Sequence, residues 1–195
     1  PCLTVEERKL GLKIIQNKTY ETPCQLCFVG RLDDAKGVHL IIEALLKLKN
    51  KQSVEMIHFI GDGPKKEVYK KACTTHKIAA TFHGFLPRHE VFEIYKQCHF
   101  ILLPSKSEGF PKVIAEGMNF GCIPIVSNVS SIGQYVEESG YLVTPINGEE
   151  LSAAIAKAVG ANTSELLKKA KTGHAVTESF TFKYYNNRVL TELIT

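Results

Sequence analysis

Two glutamates, Glu108 and Glu116, are the residues of this sequence best placed to do chemistry. They stand in the segment SEGFPKVIAE, residues 107–116, which follows an apolar run at 100–104. The run predicts a buried strand, and Pro111 with the apolar spacing after it predicts a helix from about residue 111. Eight helical residues span roughly 12 Å, which is too far for two carboxylates to share one proton or one metal ion. We expect them to contact different parts of an extended polar ligand.

Lys112 lies in the first turn of that predicted helix, where a cation opposes the helix dipole. An anionic ligand held by the free N–H groups of the first turn would relieve this mismatch. Each glutamate also has a simpler explanation. Glu108 can serve as a partner for the helix dipole, and Glu116 can be a solvated helix residue. The segment by itself leaves both explanations open.

Size and composition are those of an ordinary globular domain. The chain has 195 residues, of which 44% are hydrophobic and 23% charged. It contains no apolar run near the roughly 18 residues that a membrane span needs. The net charge of +4 is dispersed along the chain, and no basic cluster is interleaved with aromatic residues, which disfavours nucleic-acid binding. A mildly basic lining for a phosphorylated ligand fits the charge better.

The six cysteines form neither a metal pattern nor a disulfide pattern. Cys24 and Cys27 make a lone CxxC at the start of a predicted strand, where positions three apart face opposite ways. We therefore expect free thiols and a reducing compartment. The N-terminus has no Met and no signal-peptide pattern, so we interpret it as a cut end.

Strand-like and helix-like patterns alternate at least five times with short connections. The predicted strands cover 25–29, 54–60, 79–83, 99–103 and 122–126, with a short one near 141–143. Pro124 inside the fifth strand indicates an edge position or a bulge. The alternation predicts an α/β fold with a Rossmann-like parallel sheet and helices on both faces. Such sheets bind ligands beyond the carboxyl ends of their strands.

The loop predicted after the first strand, 30–37, carries Arg31 and Lys36. The planar fork of an arginine fits phosphate oxygens, and a lysine offers a mobile point charge. Taken alone, each is more simply explained as a surface charge. The next loop, 61–64, reads GDGP and resembles half of a dinucleotide fingerprint. Lys66 replaces the third glycine of that fingerprint, which disfavours an NAD site.

Taken together, these loops resemble the donor-binding half of the GT-B glycosyltransferases over about residues 24–160. The matching motifs, in the order of that family, are Gly30-Arg31-Leu32, Lys36-Gly37, Gly61-Asp62-Gly63-Pro64, Gly84-Phe85, and Glu108-Gly109-Phe110-Pro111 with Glu116. The Glu-x7-Glu pattern is the most diagnostic part. The resemblance is strongest to the retaining family 4, whose members build polysaccharide, lipopolysaccharide and capsule chains.

The resemblance implies a role for each matching residue. Arg31 and Lys36 would hold the diphosphate of a UDP- or GDP-sugar and stabilise its growing charge, with Glu108 near the sugar. These three are the catalytic candidates, and Glu116 would accept hydrogen bonds from the ribose. The other nucleotide-sugar contacts would come from Gly30, Gly61, Gly63, Gly84, Phe85, Leu86, Gly109 and Phe110, with the 84–86 loop against the base. The resemblance implies no metal and no other cofactor.

The predicted division of the chain is a helix and linker at 1–23, a nucleotide-sugar-binding domain at 24–179 and a closing helix at 180–195. A GT-B enzyme works between two domains, and this sequence matches one. We therefore expect the chain to fold and bind nucleotide but to transfer no sugar by itself. Pro111 follows Phe110 directly, where many relatives have a glycine, and this removes one backbone donor.

The resemblance also implies a partner and a location. The acceptor would be a glycan or lipid-linked chain, bound by the other domain. The expected location is cytoplasmic, with any contact to the inner face of the membrane made through that domain. Two alternatives stay open: a non-catalytic nucleotide-sugar-binding or scaffold module of the same fold, and a nucleotide-sugar epimerase. The presence of Arg31, Lys36 and Glu108 together favours the transferase.

Overall fold

The computed structural model describes residues 1–109 and 111–192. Within them, six strands form one sheet in which every pairing is parallel. The strands are β1 (Cys24–Val29), β2 (Val54–Ile60), β3 (Ala80–Gly84), β4 (Phe100–Leu103), β5 (Ile123–Ser127) and β6 (Tyr141–Val143). Their order across the sheet is β3-β2-β1-β4-β5-β6. The predicted α/β fold with a parallel sheet is confirmed.

The described residues also form nine α-helices. They are α1 (Val5–Asn17), α2 (Val38–Lys47), α3 (Lys66–Thr75), α4 (Arg88–Gln97), α5 (Lys112–Asn119), α6 (Ile132–Val136), α7 (Gly148–Val159), α8 (Thr163–Val176) and α9 (Phe182–Glu192). Helix α2 contacts α3 and α7. In a second group, α8 contacts α1, α5 and α6, and α5 contacts α1 and α4. Two such groups are what a sheet covered on both faces requires.

Burial along the strands explains their composition. Every residue of β4 and β5 is buried, and both strands are almost purely apolar, as expected for parallel strands covered on both sides. Aromatic contacts fill the core. The rings of Phe59 and Phe82 stack 4.7 Å apart between β2 and β3, and those of Phe92 and Phe120 lie 4.7 Å apart beside α4 and α5. The apolar positions that recur along the sequence are therefore the residues that form the core.

The prediction that Pro124 marks an edge or a bulge is wrong. Strand β5 lies between β4 and β6, and its pairing with β4 runs through Pro124 without a shift. The ladder to β6 begins one residue later, at Ile125 opposite Tyr141. The N–H that proline lacks therefore falls outside that ladder, and the strand keeps its interior place.

All six cysteines are free and buried. Burial raises the pKa of Cys2, Cys24 and Cys73 to about 11, so these thiols are protonated at neutral pH and behave as small apolar groups.

Among the residues described, no cluster of three or more His, Cys, Asp or Glu is arranged to hold a metal ion. No helix in the same part of the chain is long and apolar enough to cross a bilayer.

The predicted boundaries at residues 23 and 179 stay a prediction. The structure adds that the first and last segments meet. The Cys2 N–H donates to the carbonyl of Phe180 at 2.8 Å, and Leu3 forms a parallel bridge with Thr181. Residues 2 and 3 therefore lie against the segment that leads into α9.

The loops at the carboxyl ends of β1, β2 and β3 pack directly on one another. The Gly61 N–H donates to the Gly84 carbonyl at 2.8 Å, and the Leu32 N–H donates to the Asp62 carbonyl at 2.9 Å. Gly61 has φ of +125°, and a Cβ there would lie 2.0 Å from the carbonyl oxygen of Gly30. Glycine is required here by the neighbouring backbone as well as by the dihedral angle.

We expect Gly61→Ala to destabilise the fold by about 2 to 5 kcal/mol, because it adds a steric overlap to a strained backbone. Urea unfolding followed by far-ultraviolet circular dichroism measures this. The control is Gly109→Ala: a Cβ at Gly109 meets nothing within 4 Å, so that change should be nearly neutral. Equal stability of the two variants would contradict the loop packing described above.

Candidate functional site

The strand order reverses between β1 and β4. From β1 the chain moves outward to β2 and β3, and from β4 it moves the other way to β5 and β6. The loops that follow β1 and β4 therefore leave in opposite directions and open a crevice at the carboxyl edge of the sheet, where doubly wound folds bind their ligands. Arg31 and Lys36 lie on the first loop and Glu108 on the second.

Lys36 and Glu108 meet across this crevice. The lysine Nζ lies 2.5 Å from Oε1 of Glu108, whose side chain is only 10% exposed. The two loops are joined in two further ways. The Lys106 N–H donates to the Ala35 carbonyl at 3.1 Å. A Cβ on Gly37 would lie 2.2 Å from the Pro104 carbonyl oxygen, so this close approach also depends on a glycine.

Arg31 has a different environment from Lys36. Its side chain is 68% exposed and is anchored by Asp33, with Nε 3.1 Å from Oδ2. The other carboxylate oxygen of Asp33 accepts the Lys36 N–H at 3.0 Å. Asp33 therefore fixes the loop and orients Arg31, whose guanidinium still faces water. Sequence reasoning missed Asp33, although an Asp inside a glycine-bounded loop is a known turn former.

The neighbouring charges of these loops are paired. Lys65 forms an ion pair with Asp34, and the Tyr69 hydroxyl donates to the same carboxylate at 2.7 Å. The Lys65 ammonium group lowers the pKa of Asp34. Lys66 lies 3.0 Å from Asp62. The position that would carry the third glycine of a dinucleotide fingerprint thus carries a lysine engaged with the loop before it.

Helix α5 begins at Lys112 rather than at Pro111, which precedes it in an extended conformation with φ −73° and ψ 120°. Among the described residues no side chain caps this helix start. The Ile114 N–H donates to the Pro111 carbonyl at 3.0 Å, which leaves the N–H groups of Lys112 and Val113 to meet an anion. Gly109 lies exposed in the preceding loop. Phe110, predicted to contact the sugar nucleotide, lies outside the described residues.

Glu116 lies further along α5, and its side chain is 14% exposed. Its Oε1 accepts a hydrogen bond from Nε of Arg88 at 3.1 Å. Burial raises the pKa of Glu116, and the Arg88 guanidinium opposes that rise. Sequence reasoning missed Arg88. The available signal was a cation in the first turn of α4, against the helix dipole, as at Lys112.

The remaining predicted contacts lie at the same carboxyl edge. Phe85 follows β3 and is 85% exposed, so its ring is free to stack on a planar group. Leu86 is partly buried against the core. The four predicted binding glycines at the ends of β1, β2 and β3 pack loop against loop, and their role toward a ligand stays a prediction. They are Gly30, Gly61, Gly63 and Gly84.

The fold is that of a doubly wound α/β domain, and Lys36, Arg31 and the start of α5 follow the two strands at which the strand order reverses. A family model for group 1 glycosyl transferases matches residues 12–174. The chain belongs to this family, and the resemblance to GT-B glycosyltransferases is confirmed at the level of family and fold.

Three relatives show how far the similarity extends. The chain is 30% identical, over 91% of its length, to the glycosyltransferase WcaL of Escherichia coli strain K12, whose name assigns it provisionally to colanic acid biosynthesis. It is 28% identical, over 77% of its length, to TuaC of Bacillus subtilis strain 168, whose name likewise assigns it to teichuronic acid biosynthesis. The chain covers 46% of the first relative and 35% of the second.

The third relative is a solved structure, Anabaena Alr3699/HepE in complex with UDP-glucose. It matches 98% of this chain with a TM-score of 0.74 and 21% identity, and the chain covers 53% of it. At this identity the match shows the fold alone. Like both curated relatives, it is about twice as long as this chain or longer.

The Lys36–Glu108 pair is expected to stabilise the site. Lys36→Ala should cost about 1 to 3 kcal/mol, because it leaves a nearly buried carboxylate without its partner. Adding Glu108→Gln to it should recover part of this loss, because the uncompensated charge is removed. Urea unfolding of the single and double variants measures both effects.

Lys47→Ala is the matched control for that experiment. Lys47 pairs with Glu43 at 3.0 Å, but both side chains are nearly half exposed. Such a surface pair contributes about 0 to 1 kcal/mol. If Lys36→Ala proves as harmless as Lys47→Ala, the loops are not held together by the ion pair.

Proposed function

We propose that this chain is the donor-binding half of a retaining glycosyltransferase. The enzyme takes a sugar from a UDP- or GDP-sugar and transfers it to a glycan or lipid-linked acceptor in the synthesis of a cell-surface polysaccharide. The observation that carries the proposal is the Lys36–Glu108 contact at the reversal of strand order, with Arg31 beside it. It combines phosphate-binding cations and a carboxylate where α/β sheets bind nucleotides.

The cations suit the departure of a nucleoside diphosphate. Breaking the bond between the anomeric carbon and the diphosphate leaves growing negative charge on the phosphate oxygens. Lys36 is already fixed by Glu108, and Arg31 is exposed on the same loop and anchored by Asp33. Groups held in place before the reaction stabilise such charge without reorganising, and each typically contributes about 3 kcal/mol. No metal ion is needed in this scheme.

The two glutamates take separate roles in the proposal. Glu108 lies beside Lys36, so it would accept hydrogen bonds from hydroxyls of the donor sugar near the diphosphate. Glu116 would receive the ribose hydroxyls on the carboxylate oxygen that Arg88 leaves free. The exposed ring of Phe85 would lie against the base.

The names of the relatives support the biological setting. Colanic acid and teichuronic acid are polymers to whose biosynthesis the Escherichia and Bacillus relatives are assigned. The Anabaena structure holds UDP-glucose, which favours a uridine nucleotide. Nucleotide-sugar donors and six free thiols both fit a cytoplasmic location.

Calorimetric titration of the chain with UDP and with GDP tests the proposal. We expect one of them to bind. Arg31→Ala and Lys36→Ala should each weaken that binding by about tenfold to a hundredfold, because a hydrogen bond to a charged group contributes roughly 1.5 to 3 kcal/mol. Lys49→Ala should leave affinity unchanged, because Lys49 is exposed between α2 and β2 at the opposite edge of the sheet.

Other outcomes favour the alternatives. If neither nucleotide binds, the chain is a non-catalytic module of the same fold that no longer binds a donor nucleotide. If UDP-glucose is converted to another UDP-sugar with no acceptor present, the result supports a nucleotide-sugar epimerase instead of a transferase.

A further inference from the structure

Residues 1–3 meet the segment that leads into α9, beside Glu116. The N–H groups of Cys2 and Leu3 both donate to the Phe180 carbonyl, at 2.8 and 3.2 Å, and the Phe182 N–H donates to the Leu3 carbonyl at 3.2 Å. We call residues 1–3 and 180–182 the terminal crossing. The carbonyl of Cys2 also accepts a hydrogen bond from Nη2 of Arg88. One side chain therefore touches both the crossing and the site.

Arg88 uses its whole guanidinium in this position. Nε donates to Glu116 at 3.1 Å, while Nη1 and Nη2 both reach the carboxylate of Glu7 on α1. The same group lies 4.4 Å from the centre of the Phe92 ring, a cation–π distance. Such a planar fork with several fixed partners holds a carboxylate more precisely than a single point charge does.

We propose that Arg88 is a positioning residue that orients Glu116 for the nucleotide and couples occupancy of that site to the terminal crossing. The inference rests on the proposed function, in which Glu116 accepts the ribose hydroxyls. Because Oε1 of Glu116 is held by Arg88, Oε2 is left to accept from the ligand; within the described residues it has no hydrogen-bond partner. If ribose holds Glu116 more rigidly, the Arg88 guanidinium is also held more rigidly. Its hydrogen bonds to Glu7 and to the Cys2 carbonyl would then open less often.

The charges around Glu116 make this role measurable. The carboxylate faces Arg88 on α4, Glu7 on α1 and Lys112 on its own helix. It also faces the Cys2 thiol and the Tyr95 hydroxyl. Burial raises the pKa of Glu116, as does the carboxylate of Glu7, whereas Arg88 and Lys112 lower it. Removing Arg88 takes away a neighbouring cation and leaves Glu7 uncompensated, so the pKa of Glu116 rises further.

The pH dependence of UDP affinity tests the positioning role. Protonation removes the acceptor that the ribose needs, so affinity falls as the pH drops through the pKa of Glu116. In Arg88→Ala this fall should begin at a higher pH than in the unchanged chain, and affinity at neutral pH should be roughly tenfold lower. Arg88→Lys keeps a cation and should restore much of the profile. Glu116→Gln should remove this pH dependence of UDP affinity, both in the unchanged chain and in combination with Arg88→Ala.

Hydrogen exchange tests the coupling. UDP should slow the exchange of amides 2–8 and 180–182 in the unchanged chain, and this protection should be lost in Arg88→Ala. Arg88→Lys should also lose it, because a single ammonium group cannot reach Glu116, Glu7 and the Cys2 carbonyl together.

Arg8→Ala is the matched control. Arg8 also ties α1 to the rest of the fold, through Glu178 at 2.8 Å and the His174 carbonyl at 3.0 Å, but it has no contact with Glu116. The pH dependence of UDP affinity in Arg8→Ala should match that of the unchanged chain. UDP binding in Arg88→Ala with an unshifted pH profile and unchanged protection overturns the inference alone. An unchanged chain that binds neither UDP nor GDP overturns both the inference and the proposed function.

Discussion

The contact between Lys36 and Glu108 holds the crevice together, because it crosses the one place where the sheet directs successive loops apart. Removing two charges from water is costly, and a pair like this is retained only where its geometry is good. A close glycine approach and one backbone hydrogen bond support it on the same two loops. The site therefore has a cation already partly removed from water, next to the place where an anion would lie. A phosphate group would meet a charge that needs little further desolvation.

The single loop after β1 offers two cations of different exposure. Lys36 is fixed by Glu108, whereas Arg31 is largely exposed and anchored at one nitrogen by Asp33. In the proposed reaction, Lys36 would define where the phosphate lies, and Arg31 would meet the outer phosphate oxygens from the solvent side. Because Asp33 also binds the Lys36 N–H, the two cations are set by the same short turn. The tight glycine packing below this turn leaves it little freedom to shift.

Local patterns in the sequence predicted the strands, the helices and the edge of the sheet where the loops converge, because periodicity and turn residues are local properties. The neighbours of each strand are not local. Pro124 was misjudged because its effect depends on where the ladder to β6 begins, which only the folded sheet decides. Arg88 was missed for the same reason: its partners Glu116 and Glu7 lie 28 and 81 positions away. The two glutamates and Lys36 were visible in the sequence, whereas Arg88, the partner of Glu116, was not.

Each glutamate of the Glu-x7-Glu pattern is paired with its own cation, and the two cations come from different parts of the chain. Glu108 is paired with Lys36 from the loop after β1, and Glu116 is bound by Arg88 at the start of α4. Two carboxylates compensated separately do not compete for one proton, which agrees with their separation along the chain. The local charge of the two pairs is close to zero and Arg31 is itself paired with Asp33, so the exposed part of the Arg31 guanidinium and the first turn of α5 remain to meet an anion. A ligand with a diphosphate at one end and neutral hydroxyl groups at the other matches this division, since the hydroxyls need acceptors and the diphosphate needs the remaining positive charge.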